Sequence, residues 1–423
     1  MVKLERSLNL WQVTLMSIGV ILGAGIYVVI GEAAGITGNS VWLSFIIGAI
    51  VATFTGLSYA ELCSRFPKAG AEYVYVQNSF GKNIAWLVGW LIIAGNIIGA
   101  STVALGFSNY FSALFNTPII LVAIAILILS GIILLAGVKE TASVTIIFTI
   151  IESIGLFIII FIGMQNIGNV DYLQLTNGLK GLIEGGVLIF FSYLGFQGIT
   201  RLAEETKEAE KNIPKAIIFS ILITTIIYIL VGISAVSVIP GLELAKESAP
   251  LAKIAEVAFG QNSFLILSGI ALFSTFNTAL MMLLSGSRII YGISKENAFP
   301  KIFSRVSKKT YAPWASIVAV VIFSIIFLSI GNIKSIANLT NFTVFSVFIV
   351  INASLIYLRI KKPVTKGFMV PLNLGRIPII PVLGIISSGF MLINLSIDIL
   401  IIGACLIVVG IIFYLLIEKL KAK

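Results

Sequence analysis

Apolar runs long enough to cross a bilayer recur from one end of this sequence to the other, with only short polar gaps between them. A helix needs about 20 predominantly apolar residues to cross about 30 Å of hydrocarbon. With 58% of its 423 residues hydrophobic and 11% charged, the chain has no stretch left for a separate soluble domain. Every backbone polar group in hydrocarbon needs an internal partner, so the runs read as helices; strands of a barrel would alternate with period two, and they do not. The expectation is an all-α integral membrane protein with transmembrane helices at 10–33, 40–64, 82–112, 118–137, 141–164, 179–203, 214–239, 263–294, 313–330, 334–358, 379–397 and 399–418. These are called spans 1 to 12.

An even count puts both termini on one side. If that side is the cytoplasm, all 28 Lys and Arg residues except Lys180, Lys246, Lys253 and Lys334 fall in cytoplasmic segments, the bias that orients membrane proteins. The net charge of +10 is therefore read as orientation in the cell membrane and not as nucleic-acid binding. The absence of His, and the placement of Cys63 and Cys405 in separate apolar stretches, argue against a metal centre, a disulfide framework and an enzyme's catalytic constellation. No cofactor is expected beyond a coupling H+ or Na+. Residues 249–259 are amphipathic and opened by Pro250, which predicts a short helix over the outer face. The charged segment 204–214 predicts a linker whose Pro214 begins span 7.

Spans 1 and 6 are both glycine-dense at mid-membrane. Span 1 holds Gly19-Val20-Ile21-Leu22-Gly23-Ala24-Gly25-Ile26-Tyr27, and span 6 holds Phe191-Ser192-Tyr193-Leu194-Gly195-Phe196-Gln197-Gly198. Closely spaced glycines weaken a helix and admit non-helical backbone. The first span of one five-helix group thus matches the first of the next, which begins from the opposite side of the membrane: an inverted repeat, with 1–164 as the first unit, 165–358 as the second and 359–423 trailing. Broken helices at a repeat interface are where alternating-access transporters bind their cargo. A break frees N–H groups at one half-helix and carbonyls at the other, and an α-amino acid carries the two complementary charges on one carbon. Simple packing is the alternative for such glycines, and Gly95-Asn96-Ile97-Ile98-Gly99 in span 3 fits it.

At these residues the sequence resembles the amino acid, polyamine and organocation transporter superfamily, especially its cationic-amino-acid-transporter-like branch. The resemblance covers nearly the whole chain. It rests on Gly23-Ala24-Gly25-Ile26-Tyr27 running to Gly31-Glu32, on Ser58-Tyr59-Ala60-Glu61-Leu62 with Arg65-Phe66-Pro67-Lys68-Ala69-Gly70-Ala71-Glu72-Tyr73, on the span 6 segment, and on Glu204-Glu205, Asn212-Ile213-Pro214-Lys215-Ala216 and Arg288-Ile289-Ile290-Tyr291. It implies the leucine-transporter fold, a 5+5 inverted repeat with discontinuous spans 1 and 6 and two further helices. It also implies that Gly23, Ala24, Gly25 and Ile26 offer amides to a substrate carboxylate, while carbonyls near Phe191, Ser192 and Gly195 receive its ammonium. Phe191 would be an aromatic lid on the cytoplasmic side, Asn96 would reach the substrate's side chain, and Phe196 and Gln197 would complete the wall. Two departures stand out. Relatives commonly carry an acid where Gln197 stands, and some proton-coupled relatives carry a lysine in span 5 where this chain has Glu152.

The missing acid at Gln197 argues for neutral or broadly chosen small amino acids. Glu152 is the expected coupling residue, holding a proton or helping to hold sodium, with Ser274, Asn277 and Thr278 on one face of span 8 by their i, i+3, i+4 spacing. Glu32, Glu184 and Asp398 also lie in or near spans, and Glu61 with Arg65 reads as an inner-end pair or as a gate to Arg201 or Arg288. Symport and exchange stay open at this point, as do polyamine transport, a non-transporting amino acid sensor on the same scaffold, and the oligomeric state.

Overall fold

The structure is a computed structural model describing residues 4–247, 249–328, 333–362 and 367–421. Span 1 is two helices, α1 (Leu10–Leu22) and α2 (Ala24–Thr37); span 2 is α3 (Val41–Arg65), followed by a short α4 (Ala71–Phe80). Spans 3 to 5 are α5 (Lys82–Phe115), α6 (Ile119–Ala136) and α7 (Val138–Met164), and span 6 opens with α8 (Gly178–Ile189). Span 7 is α9 (Ala209–Val238), with α10 (Gly241–Leu244) and α11 (Pro250–Phe259) leading into span 8, α12 (Gln261–Lys295). Spans 9 to 12 are α13 (Trp314–Phe327), α14 (Ile333–Lys361), α15 (Ile379–Ile393) and α16 (Ile397–Lys421). Among the described residues 10 segments are long and apolar enough to cross a bilayer, and the shorter apolar helices α13 and α15 take the places of spans 9 and 11.

Helices that are apolar all round belong either in a large core or in lipid, and both kinds are present. α6 and α16 leave Leu121, Ile132, Ile401 and Ile412 exposed, a surface suited to hydrocarbon. α1 lies at the centre, packed on α7, α9 and α12, while α8 packs on α2 and α3.

Polar contacts sort the loops into two faces. On one, Leu8 bridges Thr206, Lys139 Nζ meets Glu5 at 2.7 Å, Lys68 meets Glu296 at 3.0 Å and Lys295 meets Glu204 at 2.6 Å. On the other, Asn39 Nδ2 donates to Gln174 Oε1 at 2.7 Å, and the Gly241 amide donates to Asn39 Oδ1 at 2.9 Å. The first is called the basic face. Lys3, Lys366 and Lys423 of the charge bias lie outside the described residues.

Several expectations need correction. Pro214 does not begin span 7: α9 starts at Ala209, after Glu208 in the left-handed region at φ 45°, and the proline sits inside the helix. Glu210 suits the positive end of the helix, while Pro214, one turn in, leaves the Glu210 carbonyl without its helical donor. A two-stranded hairpin, Asn373–Leu374 against Ile377–Pro378, adds a scrap of sheet to an otherwise helical chain. The helix expected at 249–259 is present as α11, with Pro250 at its start and Leu251, Ile254 and Ala255 buried. Glu32, Glu184 and Asp398 are exposed, Glu184 lying 3.8 Å from Lys180.

Candidate substrate and coupling site

Both glycine-rich spans are broken. α1 stops at Leu22, Gly23 leaves helical geometry at ψ −141°, and α2 restarts at Ala24. In span 6 the short 3₁₀ segments Phe190–Tyr193 and Gly198–Leu202 flank a non-helical stretch in which Gly195 has φ 132°. The breaks touch. A Cβ on Gly25 would lie 2.3 Å from Ser192 Cα, and one on Gly195 would lie 2.2 Å from Val20 Cγ1. Only glycine permits backbones that close, and at Gly195 only glycine readily adopts the torsion.

The backbone groups freed by the breaks are largely partnered within the chain. The Ala24 amide donates to Thr278 Oγ1 at 2.8 Å, so this amide, expected to face a carboxylate, is taken by span 8 instead. Gly25 and Ile26 stay in the first turn of α2, where amides lack acceptors inside their own helix. The carbonyls of Phe191 and Gly195 accept from Leu194 and Gly198 amides at 3.2 and 2.9 Å. The Gln197 Oε1 accepts from the Gly195 amide at 3.1 Å, so Gln197 splints the break it sits in. The Ser192 Oγ is buried with no hydrogen-bonding partner.

Tyr228, on α9, was not singled out by sequence. Its hydroxyl reaches the Ser192 carbonyl at 2.9 Å and also the Ile21 carbonyl, joining the ends of both breaks. A lone phenol in an apolar run carries no signal until folding brings two orphan carbonyls to it. Tyr228→Phe is expected to cost about 1–3 kcal/mol, the penalty for leaving a buried acceptor unmet. A melting temperature equal to the parent's in detergent would contradict that.

A cavity of about 50 Å³ lies beside the breaks, lined by Val20, Asn96, Gly195, Gln197, Arg201 and Met282 among others. At about 10–15 Å³ of such space per water, it has room for a few waters or a compact ligand group. Asn96, Gly195 and Gln197 therefore come together as expected, although Asn96 Nδ2 donates to the Ile92 carbonyl of its own helix at 2.8 Å. Phe191 does not line this cavity, nor do Gly23, Ala24, Gly25, Ile26, Ser192 and Phe196. Along span 6, Phe191 precedes the cavity on the side away from the basic face, and Leu194 is among the residues that line it. Phe196 packs edge-on against Tyr59, with ring centroids 6.1 Å apart, and also against Phe348.

The expected coupling residues gather behind the first break, between α1, α7 and α12. Glu152 is fully buried, and its Oε1 accepts from Asn277 Nδ2 at 3.4 Å. The Glu152 Oε2, Ser274 Oγ and Asn277 Oδ1 atoms are buried without hydrogen-bonding partners. A Cβ on Gly19 would meet Thr149 Oγ1 at 1.9 Å and Asn277 Nδ2 at 2.7 Å, which shows how closely α1 presses on this cluster. Thr149 is thus a member that sequence reasoning missed. Thr278 Oγ1 accepts from the Ala24 amide, which ties this face of span 8 to the first break.

Three arginine–glutamate forks are buried towards the basic side. Arg201 donates through Nε and Nη2 to Glu72 at 3.1 and 2.6 Å, Arg288 does the same to Glu205 at 3.1 and 2.8 Å, and Arg359 pairs with Glu61, which also holds Arg65. Of the two readings of Glu61, the structure has the inner-end pair with Arg65, extended by Arg359, and not the gate to Arg201 or Arg288. Glu72, on α4, takes Arg201 because that short helix tucks its first turns inward, and the sequence offered no strong periodicity to foretell it. Among the described residues, Glu152 is the one buried carboxylate with no salt bridge.

A family profile described as "Amino acid permease" matches residues 8–416. Among curated proteins, the Branched-chain amino acid permease BcaP of Bacillus subtilis is 28% identical over 99% of this chain and 94% of its own length. The Methylthioribose transporter of the same organism is 30% identical over 92% of this chain and 87% of its own. The Cationic amino acid transporter 4, vacuolar, of Arabidopsis thaliana is 29% identical over 75% of this chain and 57% of its own.

Proposed function

From the premise that this chain belongs to the amino acid permease family, a family of membrane transporters and not of enzymes, we propose that it is a secondary active transporter of small neutral amino acids. It works by alternating access in the cytoplasmic membrane, with both termini and the basic face inside. The observation that carries this reading is the contact of two broken spans, Gly25 against Ser192, beside a small cavity lined by residues of spans 1, 3, 6, 8 and 10. Freed amides in the first turn of α2 suit the substrate carboxylate, and the Ile21 and Ser192 carbonyls bridged by Tyr228 suit its ammonium. Apolar walls at Val20, Ile92 and Met282 suit an uncharged side chain. Similarity to a branched-chain permease over nearly the full chain favours the same class.

Alternation would open the cavity by parting the forks on the basic face, with Glu152 as the group that carries a proton or helps to hold sodium between α1, α7 and α12. The test is counterflow in proteoliposomes loaded with unlabelled L-alanine or L-valine and given the labelled compound outside. Transient accumulation of label above equilibrium is expected. Binding of label without accumulation would instead identify a sensor.

A further inference from the structure

We infer that Arg201 sets the charge selectivity of this cavity, rejecting cationic side chains and making the protein a carrier for neutral amino acids despite its similarity to cationic transporters. The inference rests on the reading of the cavity as the substrate site. Of the residues lining the cavity, Arg201 is the one that carries a charge, and no acid lines it. Its partner Glu72 lies outside that lining. The fork is directional: Nε and Nη2 are taken by Glu72, while Nη1 donates to Ser285 Oγ, and Ser285 itself lines the cavity. A Cβ built on Gly198, another lining residue, would lie 3.3 Å from Ser285 Oγ and 4.0 Å from Arg201 Nη1. The positive end of the pair thus faces the ligand space and the negative end faces away.

Both side chains are almost wholly buried, at 3% and 0% exposure. In such surroundings a dipole of this kind is poorly screened, and an ammonium brought to its positive end meets repulsion that water would otherwise dampen. Specificity of this sort works by rejecting the wrong charge and needs no new contact to the right ligand. Glu72 is what makes the device tolerable, because an isolated buried guanidinium would be costly and the bidentate fork both offsets that cost and fixes its orientation. Arg201 is a specificity-determining residue on this account.

The experiment measures inhibition of labelled L-valine uptake by L-norleucine and by L-lysine, which share a four-carbon stem and differ by the terminal ammonium. For the parent, lysine is expected to compete at least 100-fold less well than norleucine. In the double variant Arg201→Gln, Glu72→Gln, which removes both charges together, that ratio should fall at least tenfold whatever the absolute rate. Glu72→Gln alone leaves the guanidinium without its counter-charge, and should shift competition from L-glutamine towards L-glutamate at least tenfold. Lysine competing within threefold of norleucine in the parent would overturn the inference, as would an unchanged ratio in the double variant or no shift towards glutamate in Glu72→Gln. If none of the twenty amino acids competes with the parent, the substrate-site reading itself falls, which is a separate result.

Discussion

Replacing Gly25 by valine is expected to abolish substrate binding and transport. Its Cβ would stand 2.3 Å from Ser192 Cα and 2.7 Å from both Ser192 Cβ and Oγ, so the obstacle includes backbone that no rotamer change can clear. Forcing the breaks apart separates the first-turn amides of α2 from the span 6 carbonyls, and an amino acid needs both within the span of one carbon. Overpacking of this kind costs about 1–3 kcal/mol, which the rest of a large helical bundle can absorb. The variant should therefore insert and purify. Gly389→Ala is the control, because a Cβ there meets nothing within 4 Å. Binding of labelled L-valine by Gly25→Val at parental affinity would place the substrate site elsewhere.

Glu152→Gln should preserve counterflow of substrate while eliminating gradient-driven accumulation. The carboxyl is fully buried, has no cationic side chain in salt-bridge contact, and shares its pocket with the unpartnered Ser274 Oγ and Asn277 Oδ1. A carboxylate so placed needs a proton or a metal cation to be tolerated, whereas an uncharged amide of the same shape does not. If the group carries a proton, an inward pH gradient should drive uptake by the parent and leave the variant indifferent. If it helps to hold sodium, stimulation by sodium should vanish instead. Uptake by Glu152→Gln that follows both gradients as the parent does would make Glu152 a structural acid only.

The helical membrane architecture and the two breaks were legible because each rests on local chemistry. A run of twenty apolar residues must cross lipid whatever lies beside it, and Gly23 and Gly195 weaken a helix on their own account. The Glu152 cluster was half legible: the i, i+3, i+4 spacing marked Ser274, Asn277 and Thr278 as one face, yet Thr278 turned to the Ala24 amide, and Thr149 joined from α7. Position along a broken span says little about which residues line a cavity: Leu194 lines this one and Phe191 does not.

Composition, hydropathy and glycine spacing thus determined that this chain is a bundle of membrane helices interrupted twice, with a strong charge bias between its faces. Which atoms answer the interruptions was settled by packing alone. Tyr228, Glu72 and Arg201 lie 36, 129 and 84 residues from the Ser192, Arg201 and Ser285 partners they meet. A hydrogen bond or ion pair depends on a few ångströms of distance and on direction, quantities that exist only once the helices have been placed side by side.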